Sequence, residues 1–595
     1  MVCACGGNHG GYRAELPAPK AAQTPPISDD MLSIDSEIER HQEAIRSLKR
    51  QRNAMTLICR KLPVELLSQI FLLASRPTDA AAYLGFRTLF NITWTSHYIR
   101  GIALNCPALW SRIPFNGSVG RSREMMARSK GALLQLDVDR WPVNAELRRA
   151  IADSLKEAAR LQDLSLTGTR GDLSEAAGIL VQEAPFLRSL KMVHIPTYTS
   201  YDLTTGEGPE ALIFPSTLFG SSAPRLRSIN LYKCSIPWDS GIYKGLTHLT
   251  ISDPPPGTAI SPSTTLEALQ QMPDLEELVL RSAIRPPSLI DQDPPSDIVS
   301  LPKLAKLELS CGVEAFASVL RRISFPDLKS LFLNLDGSEF ISFVEAVKEY
   351  EHRAPGILAN KFVDRLGIRF PVDSALELLT WPEDGSWNPG FAYHDKMAPV
   401  EIHLRGAGEC ANSNAIWQTV AEILPLGCIR SVFLLEGGVL SNGFGILERC
   451  VRLEHLALRC SVSEGIASLG APKGGRPKRA RGGKRKSKSA LVFPHLKRLE
   501  VMNGYFYEGV DEFVETLEFR AKKKAKIETL LLESCSYLSG DDVALLEEFV
   551  DDLEWDGIEN ISDEDDLDED YYSEDAYDYG GYPGFGGHGY DLFYY

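Results

Sequence analysis

A six-residue pattern, apolar-x-x-apolar-x-apolar, recurs between residues 161 and 532 of this 595-residue chain and limits its fold more than any other feature. It stands at Leu161-Leu164-Leu166, Leu187-Leu190-Met192, Leu226-Ile229-Leu231 and Leu246-Leu249-Ile251. It continues at Leu275-Leu278-Leu280, Leu304-Leu307-Leu309, Leu328-Leu331-Leu333 and Val363-Leu366-Ile368. After a vague stretch come Ile429-Val432-Leu434, Leu453-Leu456-Leu458, Leu496-Leu499-Val501 and Ile527-Leu530-Leu532. Most copies begin 20–36 residues apart. In six of them a proline precedes the first apolar residue by two positions: Pro185, Pro224, Pro273, Pro302, Pro326 and Pro494. The rigid ring there ends the preceding helix or loop and feeds an extended strand.

No single copy can bury its own apolar side chains. Neighbouring coils must stack so that the strands share one continuous core. This is the pattern of a leucine-rich-repeat solenoid, here with irregular spacing, and it predicts an α/β region over 145–546. Cys234 and Cys535 follow their strands where repeats of this kind often place Asn or Cys to hold the turn. The intervening strand residues face the other side of the sheet. Among them Asn230, Tyr232, Glu277, Arg281, Glu308, Asn334, Arg498 and Glu500 are the candidate substrate-binding residues. Their chemistry is mixed, so no single ligand class is written there.

Upstream, LPVELLSQIFLLAS (62–75) is apolar almost all round. Such a helix is buried almost all round. Further apolar helices are expected around Phe86–Trp94 and His97–Leu104, with Pro107 ending the second and Leu109-Trp110 following. Three short helices make a core too small to cover both sides of the first. The remaining side must meet another part of the chain or another protein.

LPVELLSQIF, then IRGIALNCPALWSRI, resembles an F-box domain of the type abundant in mushroom-forming fungi. A preceding heptad helix and a following segment like SKGALLQLDV (129–138) are usual in that family, and the match covers roughly residues 34–140. The resemblance implies an F-box domain at 58–115 that binds the Skp-type adaptor of a cullin–RING ubiquitin ligase. Carried over position by position, it implies adaptor contacts by Leu62, Pro63, Glu65, Leu66 and Ile70. Leu109 and Trp110 match the closing motif. Ser96 and Ile99 stand where the family usually carries Cys and Trp.

Before this module, Ile34, Ile38, His41, Ile45, Leu48, Arg52 and Met55 fall at alternating steps of four and three, the spacing of a heptad seam. Residues 31–57 are therefore either an amphipathic helix leaning on the next domain or a short dimerising coiled coil. Residues 1–30, rich in Gly, Ala and Pro, are expected to be disordered. Cys3, Cys5 and His9 lie there as a weak metal motif, and no metal or other cofactor is expected.

The net charge of −17 comes from one segment. Residues 547–578 hold 17 acidic and no basic side chains; the rest of the chain has 63 of each sign. The 547–595 tail, acidic and then Tyr/Gly-rich, reads as disordered. APKGGRPKRARGGKRKSKSA (471–490) holds nine Lys or Arg and no acid, and reads as a mobile insertion. Its Arg479, Arg481, Lys484, Arg485 and Lys486 resemble a nuclear-import signal. The 11 cysteines are scattered singly, and neither a secretory signal nor a membrane-length apolar run is found. Cytoplasmic or nuclear residence follows as the expectation, with no membrane or nucleic acid among the expected partners.

The chain carries no phosphate-binding loop, His-Glu-x-x-His, paired Cys-x-x-Cys or Gly-x-Ser-x-Gly elbow. The sequence therefore reads as a non-catalytic substrate receptor of an SCF-type ubiquitin ligase. Its helices would bind the adaptor, and through it a cullin scaffold, while its repeats hold a protein substrate. Two other readings compete. One is a ligase-independent repeat scaffold. The other is a chromatin-associated protein that uses the basic loop.

Overall fold

The computed structural model describes residues 29–56, 61–76, 82–115, 118–196, 211–288, 297–337, 341–353, 364–369, 375–381, 399–405, 421–434, 444–459, 469, 491–506 and 510–559. The expectations for residues 1–28, the basic insertion and the chain beyond 559 lie outside the described residues. The chain divides into two compact units, Met1–Lys244 and Gly245–Tyr595.

The first unit opens with α1 (Asp29–Ala54), α2 (Val64–Ala74), α3 (Ala82–Thr95) and α4 (His97–Leu104). Pro63 starts α2 with an extended backbone (φ −64°, ψ 156°), and its carbonyl accepts the Leu67 N–H at 3.1 Å. Ser96 caps α4, its hydroxyl accepting the Ile99 N–H at 3.2 Å. The 3-10 turn Pro107–Trp110 then closes over the helices, with Leu109 and Trp110 buried.

Five strands follow: β1 (Arg112–Pro114), β2 (Leu134–Val138), β3 (Leu161–Gly168), β4 (Ser189–His194) and β5 (Ser228–Tyr232). Each pairs with the next in parallel through β4–β5. Helices α5 (Val119–Ser129), α6 (Ala145–Leu155) and α7 (Arg170–Ile179) lie between successive strands in the chain. The sheet therefore begins at Arg112, upstream of the expected start at 145. The short Arg-Ile-Pro strand offered no repeat pattern to read.

In the second unit, β6 (His248–Ser252), β7 (Glu277–Arg281), β9 (Lys306–Gly312) and β11 (Ser330–Asp336) pair in parallel. Two short strands, β8 (Val299–Ser300) and β10 (Ile323–Ser324), form a separate pair. The order then departs from the chain. Of β12 (Arg365–Arg369), β13 (Ala375–Trp381) and β14 (Val400–Arg405), it is β14 that pairs with β11 in parallel. Strand β13 lies antiparallel to both β14 and β12. From β12 the parallel ladder resumes through β15 (Ser431–Leu434), β16 (His455–Leu458), β17 (Arg498–Met502), β18 (Thr529–Glu533) and β19 (Asp552–Trp555). Helices of this unit within the described residues include α8 (Pro262–Gln270), α9 (Val313–Leu320), α10 (Ile341–Arg353), α11 (Phe444–Leu447), α12 (Val510–Lys522) and α13 (Gly540–Glu547).

The chain thus consists of N-terminal helices followed by a leucine-rich-repeat-like α/β region with a long, mostly parallel sheet. Every copy of the sequence pattern ends in a strand, and the described leading residues are buried, Leu161, Leu226 and Leu453 fully so. The prolines act through a recurring turn. In Ala184-Pro185-Phe186-Leu187 the Leu187 N–H donates to the Ala184 carbonyl at 3.2 Å. Leu226 to Ala223, Leu275 to Met272, Leu304 to Leu301 and Leu496 to Phe493 repeat it. Proline holds the second turn position, where its fixed φ fits.

A second device follows the strands. Lys233, Asp253, Ser282, Asn503 and Ser534 come immediately after β5, β6, β7, β17 and β18, all with φ between 48° and 54°. A left-handed residue turns the chain out of the sheet at each coil, at some steric cost to a non-glycine residue. The buried thiols then link neighbouring coils: Cys234 donates to the Met192 carbonyl at 3.4 Å and Cys535 to that of Val501 at 3.6 Å. Burial pushes the Cys234 thiol up to about 12 and that of Cys535 to about 11.

One boundary is corrected at the far end. Disorder is expected from 547, but the residues up to Glu559 are ordered here, with β19 pairing with β18 and continuing the ladder; the chain beyond lies outside the described residues. The acidic run hides Leu553 and Trp555, whose half-buried side chains alternate with the exposed Asp552 and Glu554.

Candidate interaction surfaces

Helix α2 divides its apolar side chains between two faces. Leu67 and Phe71 are buried, in the part of the unit where α2 meets α3, α4 and the closing turn. Val64, Leu66, Ile70 and Leu73 remain 45–60% exposed. Pro63 and Glu65 are exposed beside them, and Leu62 is half-buried. The face left over by so small a helical core stays exposed among the described residues. The C-terminal end of α3, the apolar helix expected around Phe86–Trp94, adds Trp94, 74% exposed.

Leu109 and Trp110 are corrected as adaptor contacts. They are 5% and 2% exposed and present almost no surface. The Trp110 indole N–H donates to the Ala103 carbonyl at 2.8 Å, and the Arg128 guanidinium covers the ring at 4.5 Å. They are core that joins the helices to β1.

In the second unit the predicted sheet-face residues separate into two kinds. Glu277, Arg281, Asn334 and Arg498 are half-buried on the sheet face. Glu308 and Glu500 are corrected: they are 7% and 1% exposed and already engaged. Glu308 accepts from the Arg281 guanidinium. Glu500 takes the Arg498 Nε at 2.5 Å and lies 3.0 Å from His455 Nε2. Burial pushes the Glu500 carboxyl up, but the hydrogen bonds and charges of His455 and Arg498 outweigh it, and the carboxyl titrates below its ordinary range. Lys306 pairs with Glu277 on the neighbouring strand at 2.7 Å. The Arg281–Glu308, His455–Glu500 and Lys306–Glu277 contacts tie adjacent coils together, while Arg498–Glu500 lies within β17. In the first unit Asn230 and Tyr232 are half-buried on β5.

The sequence reading missed a cluster on β11, β12, β13 and β14. His403 Nε2 is 2.6 Å from Glu401 Oε1, and its Nδ1 is 3.3 Å from Glu377 Oε1. Arg369 reaches the other Glu377 oxygen at 3.3 Å, and the Phe332 ring lies 5.1 Å from the imidazole. Burial alone would lower the His403 pKa; Glu377 and Glu401 outweigh it and raise it to about 9. His403 is therefore a fixed cation at neutral pH. The signal was legible: Val400-Glu401-Ile402-His403-Leu404-Arg405 alternates apolar and polar, the pattern of a strand. Next to the cluster, Leu379 packs against Phe433 and Ala457, both buried.

Among the described residues no group of His, Cys, Asp and Glu is arranged to hold a metal ion. No described helix is long and apolar enough to cross a membrane. The import-signal residues Arg479, Arg481, Lys484, Arg485 and Lys486 lie outside the described residues.

No family model matches the chain, and no curated protein matches it. A solved leucine-rich-repeat protein of Leptospira interrogans is similar over 73% of this chain and 91% of that one, at 12% identity and a TM-score of 0.27. The repeat architecture stands on the chain's own strand ladder, recurrent proline turns and buried leucine positions.

Proposed function

We propose that this chain is a non-catalytic protein-interaction scaffold, and more specifically the substrate receptor of an SCF-type cullin–RING ubiquitin ligase. The repeat-like region supports the general reading: a long sheet with a mixed polar and apolar face suits a protein partner. The finer reading rests on one observation. Helix α2 leaves Leu66 and Ile70 exposed at 45% and 47%, together with Val64 and Leu73. An apolar ridge of this kind suits the helices of a Skp-type adaptor. Glu65 and Pro63 lie beside it, at the positions the F-box resemblance implies. In this role the chain holds a substrate lysine near the charged ubiquitin enzyme, raising the effective concentration of the reacting pair. Catalysis is left to its partners.

The test is a pull-down of a purified Skp-type adaptor by the intact chain, beside Leu66→Asp/Ile70→Asp. Both side chains are exposed, so the variant should keep its circular dichroism and melting temperature while binding is lost. An intact, folded chain that captures no adaptor would remove the ligase reading and leave a scaffold acting without one.

A further inference from the structure

Helix α1 presents an apolar seam that stays exposed among the described residues. Every side chain from Asp30 to Arg52 is exposed. Ile34, Ile38, Ile45 and Leu48 are 48–64% exposed, although their four-and-three spacing puts them on one stripe. The helix does come against α4 of the next module, yet this stripe stays exposed. In proteins most helical stability comes from packing an amphipathic face. With 26 residues and a length of about 39 Å, α1 has such a face and needs a covering partner.

Its charges specify that partner. Residues 29–39 carry Asp29, Asp30, Asp35, Glu37 and Glu39 and no base; residues 44–54 carry Arg46, Lys49, Arg50 and Arg52 and no acid. Side-chain pairing with the helix dipole accounts only for charges in the first and last turns. Asp35, Glu37, Arg46 and Lys49 lie inside those limits. Glu37 and Arg46 are engaged within the helix, with Arg40 at 2.8 Å and Glu43 at 3.1 Å. Among the described residues, Asp35 and Lys49 have no ion-pair partner.

We propose that α1 pairs with the α1 helix of a second copy in antiparallel order through the Ile34–Ile38–Ile45–Leu48 seam. Antiparallel order lays the acidic half of one helix along the basic half of the other. With the two-fold axis at residue 43, Ile38 meets Leu48 of the second copy and His41 meets its Ile45. Asp35 then comes beside Lys49 of the second copy on the flank, twice per dimer. A parallel pair would instead place Arg52 against Arg52 and His41 against His41 in the seam, and acid beside acid. Like charges so placed are destabilising. The pairing goes beyond the adaptor reading and does not depend on it. It gives each assembly two repeat regions, so a partner with two recognition sites is held by avidity.

The full chain is measured by light scattering and sedimentation at micromolar concentration. The proposal expects twice the monomer mass, and the monomer mass for Ile38→Asp/Leu48→Asp with unchanged melting temperature. Asp35→Lys or Lys49→Asp alone should raise the dimer dissociation constant roughly fivefold or more, since each loses two ion pairs and gains like-charge contacts. Asp35→Lys/Lys49→Asp together should restore it. A monomeric wild-type chain, or a dimer that survives Ile38→Asp/Leu48→Asp, overturns the proposal. A double charge exchange that fails to restore the dimer overturns the antiparallel order.

Discussion

The Trp110 indole donates its N–H to the Ala103 carbonyl at 2.8 Å, from a ring that is 2% exposed. This bond fastens the closing turn to the end of α4, where the helical module joins the sheet. Trp110→Ala should cost about 3–5 kcal/mol of stability through the cavity and the lost bond. Trp110→Phe should cost about 1 kcal/mol, chiefly through the lost indole bond, since the Cys106 N–H still donates to that carbonyl at 3.3 Å. Chemical denaturation measures both. A Trp110→Ala chain that keeps its stability but loses a partner would return this residue to the surface.

Much of the repeat region was legible because a buried leucine must recur wherever a coil stacks on its neighbour. Leu226, Leu275 and Leu453 mark strands for that reason. The exchange of β14 and β12 was not legible, since strand order is a property of pairing and leaves no mark in a one-dimensional pattern. The interaction residues were harder still. Leu66 and Leu67 are adjacent and chemically identical, yet one is 45% exposed and the other 2%. Only packing distinguishes them. Glu308 and Glu500 read as solvated acids until their neighbours on adjacent strands, Arg281 and His455, are placed beside them.

His403 links stability to pH. Its pKa is about 9 in the fold against an ordinary value of 6.5, because Glu377 and Glu401 hold the imidazolium despite burial. The raised value means that the stabilisation is fully present below pH 6.5 and is lost as the pH rises through 9. It is on the order of 3 kcal/mol for a shift of this size. Denaturation midpoints measured across that window should fall for the wild type. His403→Gln should flatten that part of the profile; a slope unchanged by the substitution would assign the dependence to other groups.

Glu500 is expected to act on stability before it acts on any ligand. Its carboxylate is 1% exposed between His455 and Arg498. Glu500→Ala removes the common partner of Arg498 and His455 and should cost about 2–3 kcal/mol, less than for a wholly buried pair because Arg498 still reaches water. The carboxyl titrates below its ordinary range, so its contribution is present above that range and is lost as the pH falls. Urea titrations at neutral and acid pH should show the wild type and the variant converging in acid. A variant as stable as the wild type at neutral pH would show that the ion pairs contribute nothing net.

Strand β19 makes the end of the ladder testable by truncation. Asp556 accepts the Ser534 N–H at 2.6 Å, and Glu559 accepts that of Gly540 at 2.7 Å, so both help hold the turn after β18 and the start of α13. A chain ending at Glu559 keeps these contacts and β19. One ending at Val550 loses them and leaves the edge of β18 unpaired. Terminal coils protect the rest of a stacked array, and an unpaired edge invites association. The chain ending at Glu559 should melt with the full-length chain, while the one ending at Val550 should melt several degrees lower and scatter more light on heating. Equal melting of the two truncations would mean that the ladder is already complete at β18.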